Sequence, residues 1–452
     1  MAPRIFDFAA GLTFDALPEP LIAMLRRSFV DTIGVAAIGA TTEMSRFARK
    51  GALAVLGAGE AGPARMLIDG RVVGPVGAAM AGAFTIDSID AHDGSSPEKG
   101  HAGSAVFPAL LAVADALRSG GARIDGRDFA TWLAIAYEVS YRAGQAQHAT
   151  CAEYHTSGAW TAVGVATACA RMLGCDAERI RQAAGIGEYH GPRSPMMRCI
   201  DFPTMVRDGV GWGAPSGVTA AYLAREGFTG APALTCEGAD AAPFWADLGD
   251  GWRTVEHTHY KAYPCCRWAH PAMDAARDLM RRHELAPDQI AAVSIRTFHN
   301  ATRLAGHAPR TLDELAYAIA FPVAIMIARG RMGVAEFTLE TLNDPEILRI
   351  SRATTLIDDR ELTRISVAQR WAQVTLVTGD GREFASQPRT PRGDADAPLS
   401  DAEIAAKFHA FADPVLGPPR AARIADLAGR FDSLDAATFT ELLDLCLAPA
   451  RA

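Results

Sequence analysis

The chain of 452 residues is 49% hydrophobic and 21% charged, with a net charge of −8. One core seldom grows past about 250–300 residues, so two or three domains are expected, while disordered and fibrous classes are excluded. The acidic balance argues against nucleic acid as a partner, because neutralising phosphates needs a basic face, yet it permits a local basic pocket for a small anion.

Pro20 stands at a first-turn position, and Leu21, Leu25, Phe29, Ile33 and Ala37 recur every four residues, which predicts a helix to about Ile38. Further helices are expected over 46–56, 75–89, 104–118, 127–143, 158–173, 177–184 and 215–225. Strand signals are nearly absent before residue 250, so the N-terminal half reads as mostly α, with alanine and glycine letting helices approach closely. After Pro271 the texture changes. A helix over 272–282 leads to the β-branched alternation of 290–298, a predicted strand, and 312–328 is again helical. Ile365-Ser-Val and 373–377 predict strands, the second turning at Gly379-Asp380-Gly381 into Glu383-Phe384. Ser400 caps a helix from about Asp401, and the chain from Pro418 onward is helical. The expected fold class is mainly α with a smaller α+β part. An all-helical domain spans 1–265, an α+β lid domain spans 266–395, and C-terminal helices over 396–452 pack back on the first.

The N-terminus carries Asp7 and lacks a basic start followed by an apolar run, so no signal peptide is expected. Uncharged stretches such as 72–86 fall short of the 18 or so residues that a membrane span needs. Eight cysteines without a CxxC pair argue against structural zinc and a disulfide framework, and reduced thiols in a cytoplasm are the expectation. Only four of the 44 basic residues are lysine: Lys50, Lys99, Lys261 and Lys407.

The densest cluster of ionisable groups runs from Asp87 to Ser104, with Asp90, His92, Asp93, Glu98, Lys99 and His101 between them. Asp87 and Asp90, three apart at the end of an apolar helix, share a face, and both the mutual repulsion and the helix dipole demand a cationic answer, offered by His92, His101 and Lys99. The N–H groups of Ala102, Gly103 and Ser104, opening the next helix, are free to face an anion. A metal site built on Asp87, Asp90 and Asp93 is an alternative, opposed by the charge of Lys99; no metal is expected. A second cluster, from Glu256 to Pro271, supplies His257, His259, Lys261, Tyr263, Arg267 and His270 at the boundary between the two textures, where clefts form. Tyr154-His155-Thr156-Ser157-Gly158 reads as a turn with His155 at a helix mouth, and 205–213 as a glycine-rich turn carrying Arg207. No phosphate loop, GxSxG elbow or HExxH helix is present.

Together these segments resemble the 2-methylcitrate dehydratase (MmgE/PrpD) family, which includes cis-aconitate decarboxylase and iminodisuccinate epimerase. The resemblance rests on Val30-Asp31-Thr32-Ile33-Gly34, the stretch 90–108, Ala136-Tyr137-Glu138-Val139, Gly227-Phe228-Thr229-Gly230, Lys261 to Cys265 with His270, and Pro391-Arg392-Gly393 ahead of Lys407-Phe408. It implies a helical domain with an α+β lid, a homodimer, and chemistry without a cofactor beside a carboxylate. It places the catalytic residues on Asp90, His101, His155 and Lys261. Where some relatives use an active-site lysine this chain has Arg207, and where relatives often read Asp-Asp-Thr or Asp-Asp-Ser it has Asp93-Gly94-Ser95.

Removing a proton from carbon beside a carboxylate builds an enediolate-like dianion, which calls for a base and fixed cationic donors in a water-poor cleft. His101, oriented by Asp90 or Asp93, is the expected base. Lys261 is the second proton carrier or clamp, and Asp93, Lys99, Arg207, Tyr263 and Arg267 are expected to bind a small di- or tricarboxylate. The expected function is a lyase; an epimerase of a dicarboxylate, or a non-catalytic member that keeps the fold, are the alternatives.

Overall fold

The computed structural model describes residues 5–451. At its centre lies the helix Gly158–Met172, buried along all but one of its positions, and around it pack Gly126–Thr150, Ala177–His190 and Val210–Arg225. Alanine and glycine allow this. A β-carbon on Gly164 would stand 2.0 Å from the Ser140 hydroxyl, so larger residues would force the helices apart. Outside this group, Glu19–Gly39, Pro75–Asp87 and Gly103–Ser119 complete a helical layer.

The second part carries a four-stranded sheet in the order Thr354–Asp358, Ile290–Thr297, Ala372–Thr378, Glu383–Ala385. The first pair is parallel and the others antiparallel, with Ile295 opposite both Leu356 and Val374. Ala372, Val374, Leu376 and Thr378 alternate inward toward the helix His270–Arg282, the period-two pattern of a half-buried strand. The helix Asp401–Leu416 then returns to lie along Glu19–Gly39, close enough that a β-carbon on Gly34 would touch Phe408 at 3.0 Å.

Several expected elements differ. The helix over 127–143 runs over Gly126–Thr150, opened by an Asp125–Asp128 capping box, and 177–184 extends to His190. The helix expected over 312–328 is two, Leu312–Ala316 and Ala320–Arg329. Between them the amides of Ile319 and Ala320 leave the helical ladder to donate to the carbonyls of Leu304 and Ala305, at 2.8 and 3.0 Å. Ile365-Ser-Val is no strand. Asp359 caps a short helix, Arg360–Ile365, by accepting from the amides of Glu361 and Leu362. The strand Thr354–Asp358 and the helices Met196–Asp201 and Pro345–Arg352 were not anticipated.

Candidate active site

The two dense polar segments, about 170 residues apart in sequence, meet. Gly94–Ser95 pairs with Thr258–His259 as a two-residue antiparallel ladder. The Lys261 ammonium, fully buried, donates to the Asp90 carboxylate and, at 3.0 Å, to its carbonyl. Buried Glu98 accepts from Ser95 and faces His257 Nδ1 at 2.7 Å. Asp87 is answered by His92 Nε2 at 3.0 Å. Lys407, from the returning helix, donates to Asp31 at 2.7 Å and to the Ala91 carbonyl at 2.6 Å. Three of the chain's four lysines therefore converge on one loop; Lys50 is exposed. The loop is also strained: of the five non-glycine residues with left-handed backbone, Asp90 and Lys99 lie in it and Arg207 lies beside it, each at a cost of roughly 1–2 kcal/mol.

Asp93 organises this loop. Its carboxylate accepts from the Tyr137 hydroxyl and from the Gly103 amide at 3.1 Å, so the anion expected at that helix start is the protein's own. Burial holds the Asp93 carboxyl up at about 6. Its carbonyl, rather than its carboxylate, orients His101: Nδ1 lies 2.7 Å from it. Because a carbonyl only accepts, the proton sits on Nδ1 and the Nε2 lone pair is left free. Burial first, then the charges of Lys261 and His92, hold the His101 pKa well below the ordinary value, so the ring is neutral at pH 7. Gly94 permits this geometry. A β-carbon there would lie 2.5 Å from His101 Nδ1 and 2.9 Å from His259 Nε2, so any other residue would drive both rings away.

His101 opens on a narrow crevice with room for about 30 Å³, one or two waters. Around it stand Lys99, Asp208, His259, Cys266, Arg267 and Arg370, with Tyr154 and Trp268. A more open cavity of about 300 Å³ adjoins it, and Lys99, Tyr154, Trp268 and Arg370 belong to both, forming a throat between them. Arg267 is neutralised by Asp394, on a turn held in place where the Tyr260 amide donates to the Gly393 carbonyl at 3.2 Å. Gly393 sits at φ 97°, and a β-carbon there would collide with the Tyr260 carbonyl at 2.1 Å. Among the described residues neither Arg370 nor Lys99 forms an ion pair with a carboxylate. Arg370 donates only to the carbonyls of Ser96, Ser366, Val367 and Gln369, and among the described residues no acid pairs with Lys99. Burial, then the nearby Arg370 charge, lowers the Lys99 ammonium, and burial lowers the Arg370 guanidinium. Two close cations without an anion describe a site built to receive one. Cys266 contributes no nucleophile, since burial pushes its thiol up to about 12.

Of the expected site residues, Asp90, Asp93, Lys99, His101, Lys261 and Arg267 are gathered at or directly behind the crevice. The other three are placed elsewhere. His155 pairs through its backbone with Pro195 and does not line the crevice. Tyr263 donates to Asp274 and accepts from Arg277, beside a separate cavity. Arg207 pairs with Asp313 at 2.7 Å, donates to the Ser88 carbonyl at 2.7 Å, and lines a different cavity of about 510 Å³. Asp208, Arg370 and Asp394 stand at the site in addition to the residues expected there, and His259 comes from the second polar cluster. For a metal, the donors of Asp90, His92 and His101 lie within 4.8 Å of one another, but the Lys261 ammonium already occupies Asp90. No helix among the described residues is long and apolar enough to cross a membrane.

The chain is 23% identical to a cis-aconitate decarboxylase of Aspergillus terreus, over 99% of its own length and 96% of that protein. It is 23% identical to the human cis-aconitate decarboxylase over 90% and 86% of the two chains, and 21% identical to the mouse protein over 90% and 85%. Residues 3–243 match the MmgE/PrpD N-terminal domain and residues 263–433 the MmgE/PrpD C-terminal domain. With nearly the whole chain accounted for by these two domains in their usual order, the protein belongs to the MmgE/PrpD family.

Proposed function

We propose that the protein is a lyase that acts without a cofactor on a small di- or tricarboxylate, removing a proton from carbon next to a carboxylate and expelling a leaving group. The observation that carries this reading is His101: a neutral imidazole with its tautomer set by the Asp93 carbonyl, lining one crevice with two cations that no carboxylate pairs among the described residues. Lys99 and Arg370 hold the substrate carboxylate, and their field stabilises the charge that grows on its oxygens as the proton leaves. The crevice excludes bulk water, which strengthens both effects. The Asp90–Lys261 pair supports His101 from behind. The names of the similar proteins agree with this class of chemistry.

An epimerase is the second reading, favoured by His259, whose buried Nε2 has no partner and which lines the same crevice. Incubation of the protein with citrate, which carries a hydroxyl leaving group β to its methylene protons, in D2O separates them. The lyase gives a product of changed mass skeleton; deuterium uptake at unchanged mass skeleton overturns it in favour of the epimerase. Replacing Arg370 by Met, or Lys99 by Ala, is expected to raise KM by about 10- to 100-fold, the loss of one charge-assisted hydrogen bond of about 1.5–3 kcal/mol, with a smaller change in kcat. Steady-state kinetics of the two variants check this, and an unchanged KM in both removes them from carboxylate binding.

A further inference from the structure

Asp208 is the one carboxyl group on the crevice, and none of the steps above uses it. It is 2% exposed and follows the left-handed residue Arg207, which turns it toward Ser157 and the crevice. Its Oδ2 accepts from the Ser157 hydroxyl, and the same hydroxyl oxygen accepts the His101 amide at 2.9 Å, so Asp208 and the base are fixed to one side chain. Its Oδ1 is buried and has no hydrogen-bond partner. Among the described residues no cation pairs with Asp208. Lys99 and Arg370 line the same crevice without forming an ion pair to it, Lys261 is taken by Asp90, Arg207 by Asp313 and Arg267 by Asp394, while the Asp87 carboxylate lies 3.4 Å from the Asp208 amide and Asp90 is close. A buried carboxylate without a cation is costly, and neutralisation by a proton is the usual relief. Burial first, then Asp87, raises the Asp208 pKa well above the carboxylate range.

We propose that Asp208 is the acid of this site, a carboxylic acid kept neutral so that its Oδ1–H protonates the leaving group while His101 takes the substrate proton. This rests on the lyase reading above. The Cα–H bond breaks and its proton goes to His101 Nε2; the electron pair forms a carbon–carbon double bond; the bond to the leaving group breaks, and its electron pair takes the proton from Asp208. Asp208 is left as carboxylate and His101 as imidazolium, and one proton exchanged through the crevice water resets both. A carboxylic acid kept protonated by burial is suited to this, and positioned proton transfer contributes about 10²–10⁴-fold.

The test is Asp208→Asn, which keeps the shape and the Ser157 hydrogen bond but cannot give up a proton. Infrared difference spectra of wild type against variant at pH 7 are expected to show a protonated-carboxyl stretch in the wild type alone; its absence shows an ionised Asp208 and overturns the proposal. With citrate in D2O, the variant is expected to keep uptake of deuterium next to the carboxylate while product formation falls at least about 100-fold. Product formation at the wild-type rate overturns the role of Asp208. Absence of both exchange and product in the wild type itself overturns the lyase reading instead, and the infrared result then still decides whether Asp208 holds a proton. Should the Asn variant fail to fold, Asp208→Glu supplies the same comparison, since it restores a proton donor: activity above that of Asp208→Ala supports the acid, and equal loss in both overturns it.

Discussion

Replacing His101 by Gln is expected to lower turnover by about 10²–10⁴-fold, with little change in thermal stability. The ring is only partly buried, and its one side-chain hydrogen bond is to the Asp93 carbonyl, so a glutamine amide can satisfy that acceptor while offering no base. The pH profile of the wild type gives the sign. A base works unprotonated, so the rate falls as pH drops through the His101 pKa. Since burial, Lys261 and His92 hold that pKa well below 6.5, the acid limb of kcat/KM is expected below pH 6.5 and is absent from the residual rate of the variant. A wild-type acid limb at or above pH 6.5, or a variant as active as the parent, removes His101 from the role of base.

Replacing Lys261 by Met is expected to be the most damaging single change to stability, about 3–5 kcal/mol, because it leaves the Asp90 carboxylate buried without its cation. The Lys261 ammonium bonds both the carboxylate and the carbonyl of Asp90, which sits at φ 51°, so the strained loop and the rings of His92 and His101, 4.4 Å apart, lose a support together. Denaturant unfolding measures the loss. The double variant Asp90→Asn with Lys261→Met is expected to recover most of it, since removing both charges of a buried pair costs less than removing one. A Lys261→Met protein as stable as the parent shows that Asp90 takes up a proton without consequence for the fold.

The composition of the site was legible where polar residues crowd into an apolar sequence. Asp90, Asp93, Lys99 and His101 announce themselves because six ionisable groups within twelve residues, after a buried helix, need a common explanation. The rarity of lysine drew attention to Lys261 for a similar reason. What could not be read is the pairing across distance. The cation that answers Asp90 comes from residue 261, where the local sequence offered His92, His101 and Lys99. Arg370 stands alone after an ordinary stretch, and its place in the crevice depends on the Ser96 carbonyl, 274 residues away. Asp208 was seen as the neighbour of Arg207, and only the turn at φ 48° sends the two side chains into different cavities. His155 and Ser157 show the same limit: both lie at one helix mouth, and the geometry gives the contacts with His101 and Asp208 to the hydroxyl of Ser157. In the fold, the long helices were legible from apolar periodicity. The break at Tyr317 falls just ahead of Pro322, which has no N–H for the Ala318 carbonyl, and the carbonyls of Leu304 and Ala305 take up the amides of Ile319 and Ala320 that the broken ladder leaves.

The convergence of Lys261 and Lys407 on the loop that follows Pro75–Asp87 has a consequence for how the chain is made. Asp31, Asp87 and Asp90 leave the ribosome early, and two of their counter-charges follow hundreds of residues later. At the ordinary pace of synthesis the interval between Asp90 and Lys407 is on the order of tens of seconds. Through that interval the nascent helical half cannot close over its acidic groups, because burying them unpaired is too costly. The native helical layer is therefore finished only when the last helices arrive, and the first 250 residues expressed alone are expected to remain an open, protease-sensitive species.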